Sequence, residues 1–205
     1  MLFNESEENA LYEAYLKAGD ARLVVLPTSN APSIDFSSGG DWPECRIWEG
    51  YLDASHILLK KALDDFPGAN NLVFPALFNL RHGMEVALKW HIRYAGGAIP
   101  SKSGHNLSAL IEAFRRTADD LDDDANYIPY YVLERISELA SIDPRSTMFR
   151  YSTEKDGSPV DINSKQWDLT RLYFSVSDLI VCLDDLSGKI DLSRDEEYQK
   201  FRRGE

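Results

Sequence analysis

The chain has 205 residues, 43% of them hydrophobic, which is enough for one substantial packed domain and too apolar for wholesale disorder. Acidic residues outnumber basic ones 34 to 22, a net charge of −12, so the overall field does not steer the protein to nucleic acid. Cys45 and Cys182 stand alone, without CxxC spacing, which argues against a disulfide scaffold and against zinc.

The N-terminus is acidic, the reverse of a signal peptide, and the most apolar run, 179–183, is far too short to span a bilayer. A soluble cytoplasmic protein that does not engage membrane is therefore expected. Residues 5–18 read as a short helix with Leu11, Tyr15 and Ala18 on one side. Residues 22–26 are β-prone, and 27–41 hold the Ser, Asn, Pro and Gly of a loop. Residues 1–43 thus read as an N-terminal extension.

Residues 44–66 have helical spacing through Ile47, Tyr51, Ala54, Leu58 and Ala62, and Pro67-Gly68 ends them. A second long helix is expected over 72–94, with Pro75 in its first turn, where the missing N–H is tolerated. Gly96-Gly97 stops it. His105-Asn106-Leu107 opens a third helix, with Asn106 as N-cap and Leu107, Leu110, Ile111 and Phe114 inward. The acidic run 119–124 breaks it. That run is either a weak site for a hard cation or, more simply, a solvated loop. Residues 130–141 form a fourth helix. Residues 147–153 are β-prone and Asp156-Gly157 marks a tight turn, so a hairpin or extended excursion is expected there. Residues 165–186 form the last long helix, with Leu169, Leu172, Val176, Leu179, Ile180 and Leu183 inward, and 189–205 read as a charged tail. The fold class is all-α: an up-down bundle of four to five long helices over 44–188, with a short β excursion before the last helix.

The segment 78–91 concentrates the chemistry. Arg81, Glu85 and Lys89 follow at steps of four, so they share one side of a helix. As an exposed row they are worth only ~0.3–0.5 kcal/mol per pair; as a buried row they brace the fold or form a site. His82 is adjacent to Arg81 and turned about 100° from it. Between residues 81 and 116, six basic residues, including Arg93, meet only Glu85 and Glu112, and three of the four histidines lie there. That is a candidate basic patch. His105 either belongs to the helix cap or stands beside an anion site at the helix N-terminus. Arg150, in Phe149-Arg150-Tyr151, can stack on an aromatic, pair with Glu85 or Asp143, or bind a phosphate. No HExxH motif, Ser-His-Asp arrangement, EF-hand loop or Gly-rich phosphate loop is present, and no metal or cofactor is expected.

The run Arg81-His82-Gly83-Met84-Glu85-Val86-Ala87-Leu88-Lys89, the helix start Gly104-His105-Asn106-Leu107 and the later Phe149-Arg150-Tyr151 resemble the HEPN superfamily, all-helical proteins of prokaryotic toxin–antitoxin and phage-defence systems. The similarity covers roughly residues 44–188 and is strongest over 78–114. It implies a helical bundle that forms a homodimer, with an antitoxin or defence-system protein as a further partner. Many members are metal-independent RNA endonucleases that use an Arg, four to six residues, then a His on a late helix. This chain has no such pair, and 165–186 holds Arg171 but no His. The resemblance therefore implies catalytic candidates elsewhere: Arg81, His82, His105 and Arg150, with Glu85, Lys89, Arg93 and Tyr151 in binding roles. The alternative is a non-catalytic dimeric module that binds a nucleotide, RNA or a protein partner.

Overall fold

The computed structural model describes residues 5–18, 44–121, 127–151, 153, 156–162 and 166–203. The β-prone run 22–26, the loop 27–41 and residues 122–124 of the acidic run lie outside them. Among the described residues the fold is all-helical: α1 (Glu5–Ala18), α2 (Glu44–Asp64), α3 (Ala69–Tyr94), α4 (Leu107–Leu121), α5 (Tyr130–Ile142) and α6 (Leu169–Arg203), with a 3-10 turn at Phe66–Gly68. The chain divides into two compact units, residues 1–41 and 42–205. In the first, α1 leaves Leu11, Tyr12, Tyr15 and Leu16 exposed, and Tyr12 stacks on Tyr15.

In the second unit, α2 and α3 form a helical hairpin across the short 3-10 turn. They pack closely because Gly83 has no Cβ; one built there would lie 2.8 Å from Leu52 Cδ2 and 3.1 Å from the Tyr51 Cβ. The face that α2 buries is shifted one position from the expected one at four of its five residues, with only Ala62 in common. Trp48, Leu52, Ser55, Leu59 and Ala62 point inward, while Ile47 is exposed and Tyr51 and Leu58 are half-buried. Two apolar stripes run side by side on α2, and the one with the larger side chains takes the core, where more area leaves water. In α3, Pro75 lies beyond the first turn, because the helix starts at Ala69 straight from the 3-10 turn. The N-cap of α4 is as expected: Asn106 Oδ1 accepts the Ala109 amide at 3.1 Å. Leu107, Leu110, Ile111 and Phe114 are all buried.

Two expectations change. Residues 147–150 form a turn, with the Thr147 carbonyl accepting the amides of Arg150 and Tyr151. The Asp143 carboxylate accepts the Thr147 and Met148 amides at 2.8 and 3.2 Å, and a backbone tied down in this way is unavailable to a strand ladder. One isolated antiparallel bridge, Thr153 with Pro159, is the β pairing found among the described residues. The expected charged tail from 189 is instead the continuation of α6 to Arg203. Ile190 is fully buried, Tyr94 donates to Asp191 at 2.8 Å, Tyr127 donates to Ser193 at 2.7 Å, and Arg194 donates to the Tyr94 carbonyl. The charged Lys189, Asp191, Arg194 and Asp195 around Ile190 mask an inward stripe that only a packed neighbour reveals. No described helix is long and apolar enough to cross a membrane.

His91 ties α3 to α6 in the core. Its Nδ1 lies 2.8 Å from the Ala87 carbonyl and its Nε2 3.2 Å from the Leu183 carbonyl. Burial pushes it down to about 4, against the pull of those two carbonyls. Unfolded, the same ring protonates near 6.5, so its stabilisation is complete above about pH 6.5 and is lost as pH falls toward 4. His91→Gln should flatten that limb, seen as urea midpoints that change less between about pH 7 and 4.5 than those of the wild type. For α6, Ile190→Ala should cost ~2–5 kcal/mol in urea unfolding, and a change under ~0.5 kcal/mol would place Ile190 at the surface instead.

Candidate functional site

The charged row of α3 is buried. Arg81 is 1% exposed and spends its guanidinium on backbone: Nε donates to the Asp143 carbonyl at 3.2 Å and Nη2 to the His105 carbonyl. Its Nη1 lies 3.5 Å from Glu85 Oε2, an ion pair too long for a hydrogen bond, and this nitrogen has no hydrogen-bond partner among the described residues. Desolvation lowers the Arg81 pKa, with Asp143 and Glu85 opposing it. One side chain thus fixes the approach to α4 and the turn after α5 against α3.

Glu85, with its side chain 3% exposed, gathers three partners, two of them cations. Lys89 Nζ donates to Oε1 at 2.7 Å, His105 Nδ1 is 3.0 Å from both oxygens, and Arg81 faces Oε2. Burial alone raises the Glu85 carboxyl; the hydrogen bonds from Lys89 and His105 outweigh it and hold the group below its ordinary value. The His105 side chain is 59% exposed, so a buried carboxylate orients an imidazole that faces solvent. A carboxylate on Nδ1 keeps the proton there and leaves Nε2 free as a base.

His82 points away from this row. Its ring meets Tyr51 edge-on at 4.5 Å and stacks on Phe78 at 5.9 Å, with no hydrogen bond to another described residue. Burial, followed by the positive charge of Arg150, His105 and Lys89, lowers its pKa against the pull of Glu85. It is neutral at pH 7. Arg150 is exposed, donates from Nε to the Ser146 carbonyl at 2.7 Å and from Nη2 to the same oxygen, and lies over the Phe78 and Tyr151 rings at 5.8 Å each. It pairs with neither Glu85 nor Asp143; the Asp143 carbonyl belongs to Arg81. Ser146 holds φ +58, which presents that carbonyl.

The structure therefore brings Arg81, Glu85, Lys89 and His105 into one network and sets His82 and Arg150 within electrostatic reach of it. Tyr151, exposed, sits at its edge under Arg150. Arg93 stands apart, binding Glu44 at 2.7 and 2.8 Å as a surface link from α3 to α2. Compared with protein-family models, with curated proteins and with solved structures, the chain matches none. Sequence reasoning missed four parts of the site: the carbonyls of Asp143, His105 and Ser146, and the Tyr51 and Phe78 rings that enclose His82. The Asp143-Pro144 dipeptide is a turn signal that marks the first of them; backbone acceptors otherwise leave no trace in residue identity.

Glu85→Ala should cost ~3–5 kcal/mol, because it leaves Arg81 charged and buried without its carboxylate. A loss under 1 kcal/mol, roughly the value of a surface pair, would contradict the burial. Since the folded-state pKa of Glu85 is lowered, its stabilisation is present above the unfolded value of about 4.5 and is lost as pH falls below it. Glu85→Gln should remove that acid limb from chemical-denaturation midpoints.

Proposed function

We propose that this chain is a HEPN-like protein of a prokaryotic defence or toxin–antitoxin system, and that it cleaves RNA without a metal ion through His105. The all-helical fold and the order of the Arg81–Lys89, Gly104–Leu107 and Phe149–Tyr151 motifs support the class. The observation that carries the chemistry is the Glu85–His105 contact, 3.0 Å between a buried carboxylate and a solvent-facing imidazole.

In this reading His105 Nε2 takes the proton from a ribose 2′-hydroxyl, and Glu85 stabilises the imidazolium that forms. The 2′ oxygen attacks the adjacent phosphorus and displaces the 5′ oxygen, which takes up a proton. Lys89 and Arg150 neutralise charge on the phosphate, and Tyr151 offers a ring to an unstacked base. His82 tunes the site as a neutral neighbour. Arg81 is a positioning residue, since its guanidinium is spent inside the protein. The cytoplasm, a homodimer and an antitoxin-type partner belong to the same proposal.

A second reading draws on that same burial of Arg81. A module with its arginine locked to backbone carbonyls binds RNA or a nucleotide on the Lys89–His105–Arg150 face without cutting it. One experiment separates the two. Incubation of the purified protein with total RNA and EDTA should give fragments ending in 2′,3′-cyclic phosphate. His105→Ala should lower the rate ~100-fold or more, and Arg150→Ala less. Intact RNA in every lane overturns the nuclease reading; retained, Arg150-dependent RNA binding in those lanes then supports the second.

A further inference from the structure

Beside the His105 site lies a cluster of rings, most of which the cleavage step does not use. Phe78, His82 and Lys89 follow α3 at steps of four and seven, so all three fall within about 40° of one another round the helix. All three are half-buried, which marks this as a side of α3 that reaches solvent. The His82 ring stacks on Phe78 at 5.9 Å and meets the Tyr51 ring of α2 edge-on at 4.5 Å. Arg150 lies over both the Phe78 and the Tyr151 rings, and so joins the exposed Tyr151 to the cluster.

The polar atoms of this cluster are open to a ligand. Neither nitrogen of His82 hydrogen-bonds another described residue, and neither is sealed from water: among the described residues, the buried side-chain polar atoms without a partner belong to Trp48, Ser55 and Arg81. The Tyr51 hydroxyl is in the same state. Arg150 spends Nε and Nη2 on the Ser146 carbonyl and keeps Nη1 without a partner among the described residues. His82, neutral at pH 7, carries one donor and one acceptor. Along the helix axis it is about 4.5 Å from Glu85. That carboxylate holds Lys89 Nζ and His105 Nδ1. Rings, an unmet polar edge and a cation thus stand within the reach of a single nucleotide.

An aliphatic ligand covers the rings but takes water from the polar atoms without replacing it. A bare phosphate meets Lys89 and leaves the rings untouched. A nucleotide meets both: its base stacks on a ring while the base edge takes hydrogen bonds, and its phosphate falls at Lys89 and His105. We propose that Tyr51, Phe78, His82 and Tyr151 form the subsite for one unstacked base of the RNA, and that His82 is the residue that discriminates among bases. This subsite presupposes the RNA-binding face described above, whether or not that face cuts. His82 meets the base edge and not the reacting atoms.

The probe is a fluorescein-labelled pentamer of stable abasic (tetrahydrofuran) residues with one central 2′-deoxynucleotide. It has no 2′-hydroxyl, so anisotropy reads binding to the full chain without cleavage. Four versions carry adenine, cytosine, guanine or thymine, and a fifth is abasic throughout. The wild type should bind the four unequally and the abasic one roughly tenfold more weakly than the best of them. His82→Ala should even out the four and leave the abasic pentamer at its wild-type affinity. His82→Gln, which restores a donor and an acceptor, should keep the four unequal. Tyr151→Ala, at an exposed position, should weaken the base-bearing pentamers alone, and it decides the matter if circular dichroism shows His82→Ala unfolded. The proposal is overturned if the abasic pentamer binds as well as the rest, if none binds, or if folded His82→Ala keeps the wild-type order of the four. Equal losses on base-bearing and abasic pentamers in Tyr151→Ala overturn it too. Total RNA cut by the wild type beside such a result leaves the nuclease reading standing. Intact RNA beside base-dependent binding removes that reading and keeps the subsite.

Discussion

The second unit is organised around a guanidinium that never reaches water. Burying Arg81 is tolerable only if its charge and its donors are met inside the protein. Glu85 meets the charge, and the carbonyls of Asp143 and His105 meet two of the donors. These carbonyls belong to segments 62 and 24 residues away along the chain. One side chain therefore dictates where the loop before α4 and the turn after α5 must sit. Such a pair contributes positional uniqueness more surely than net stability, since an apolar replacement of equal volume often costs nothing.

The site inherits its layout from that constraint. With Arg81 and Glu85 buried, His105, Arg150 and Tyr151 are left exposed at the surface, beside a Lys89 held half-buried on Glu85. A locally basic, aromatic face thus arises on a protein whose total charge is strongly negative. The compensating negative charge is not spread evenly. Part of it collects along α2 and α6 at Glu49, Asp53, Asp184 and Asp185, where the Asp184 carboxyl already registers the repulsion.

Most of the helical framework was legible in the residues. Apolar spacing identified α3 and α4, Asn106 announced its own cap, and Asp156-Gly157 marked a turn with Gly157 at φ +84. Besides the position of Pro75 in α3, three local readings failed for distinct reasons. On α2 two apolar stripes compete, and spacing cannot weigh side-chain volume. Over 147–150 β propensity lost to the Asp143 carboxylate, a tertiary partner for backbone amides. Beyond residue 188 charge hid the buried Ile190 stripe of α6.

The row Arg81, Glu85, Lys89 shows where the division falls. By itself the sequence determined that these three share one helix face, because a spacing of four and 3.6 residues per turn leave no other arrangement. Nothing in that spacing says whether the face is wet or dry, and the same row is worth a few tenths of a kcal/mol in water or several when buried. Tertiary structure decided it by bringing two backbone carbonyls and the His105 ring onto the row. Every residue has a carbonyl, so no residue type advertises which of them a guanidinium will find.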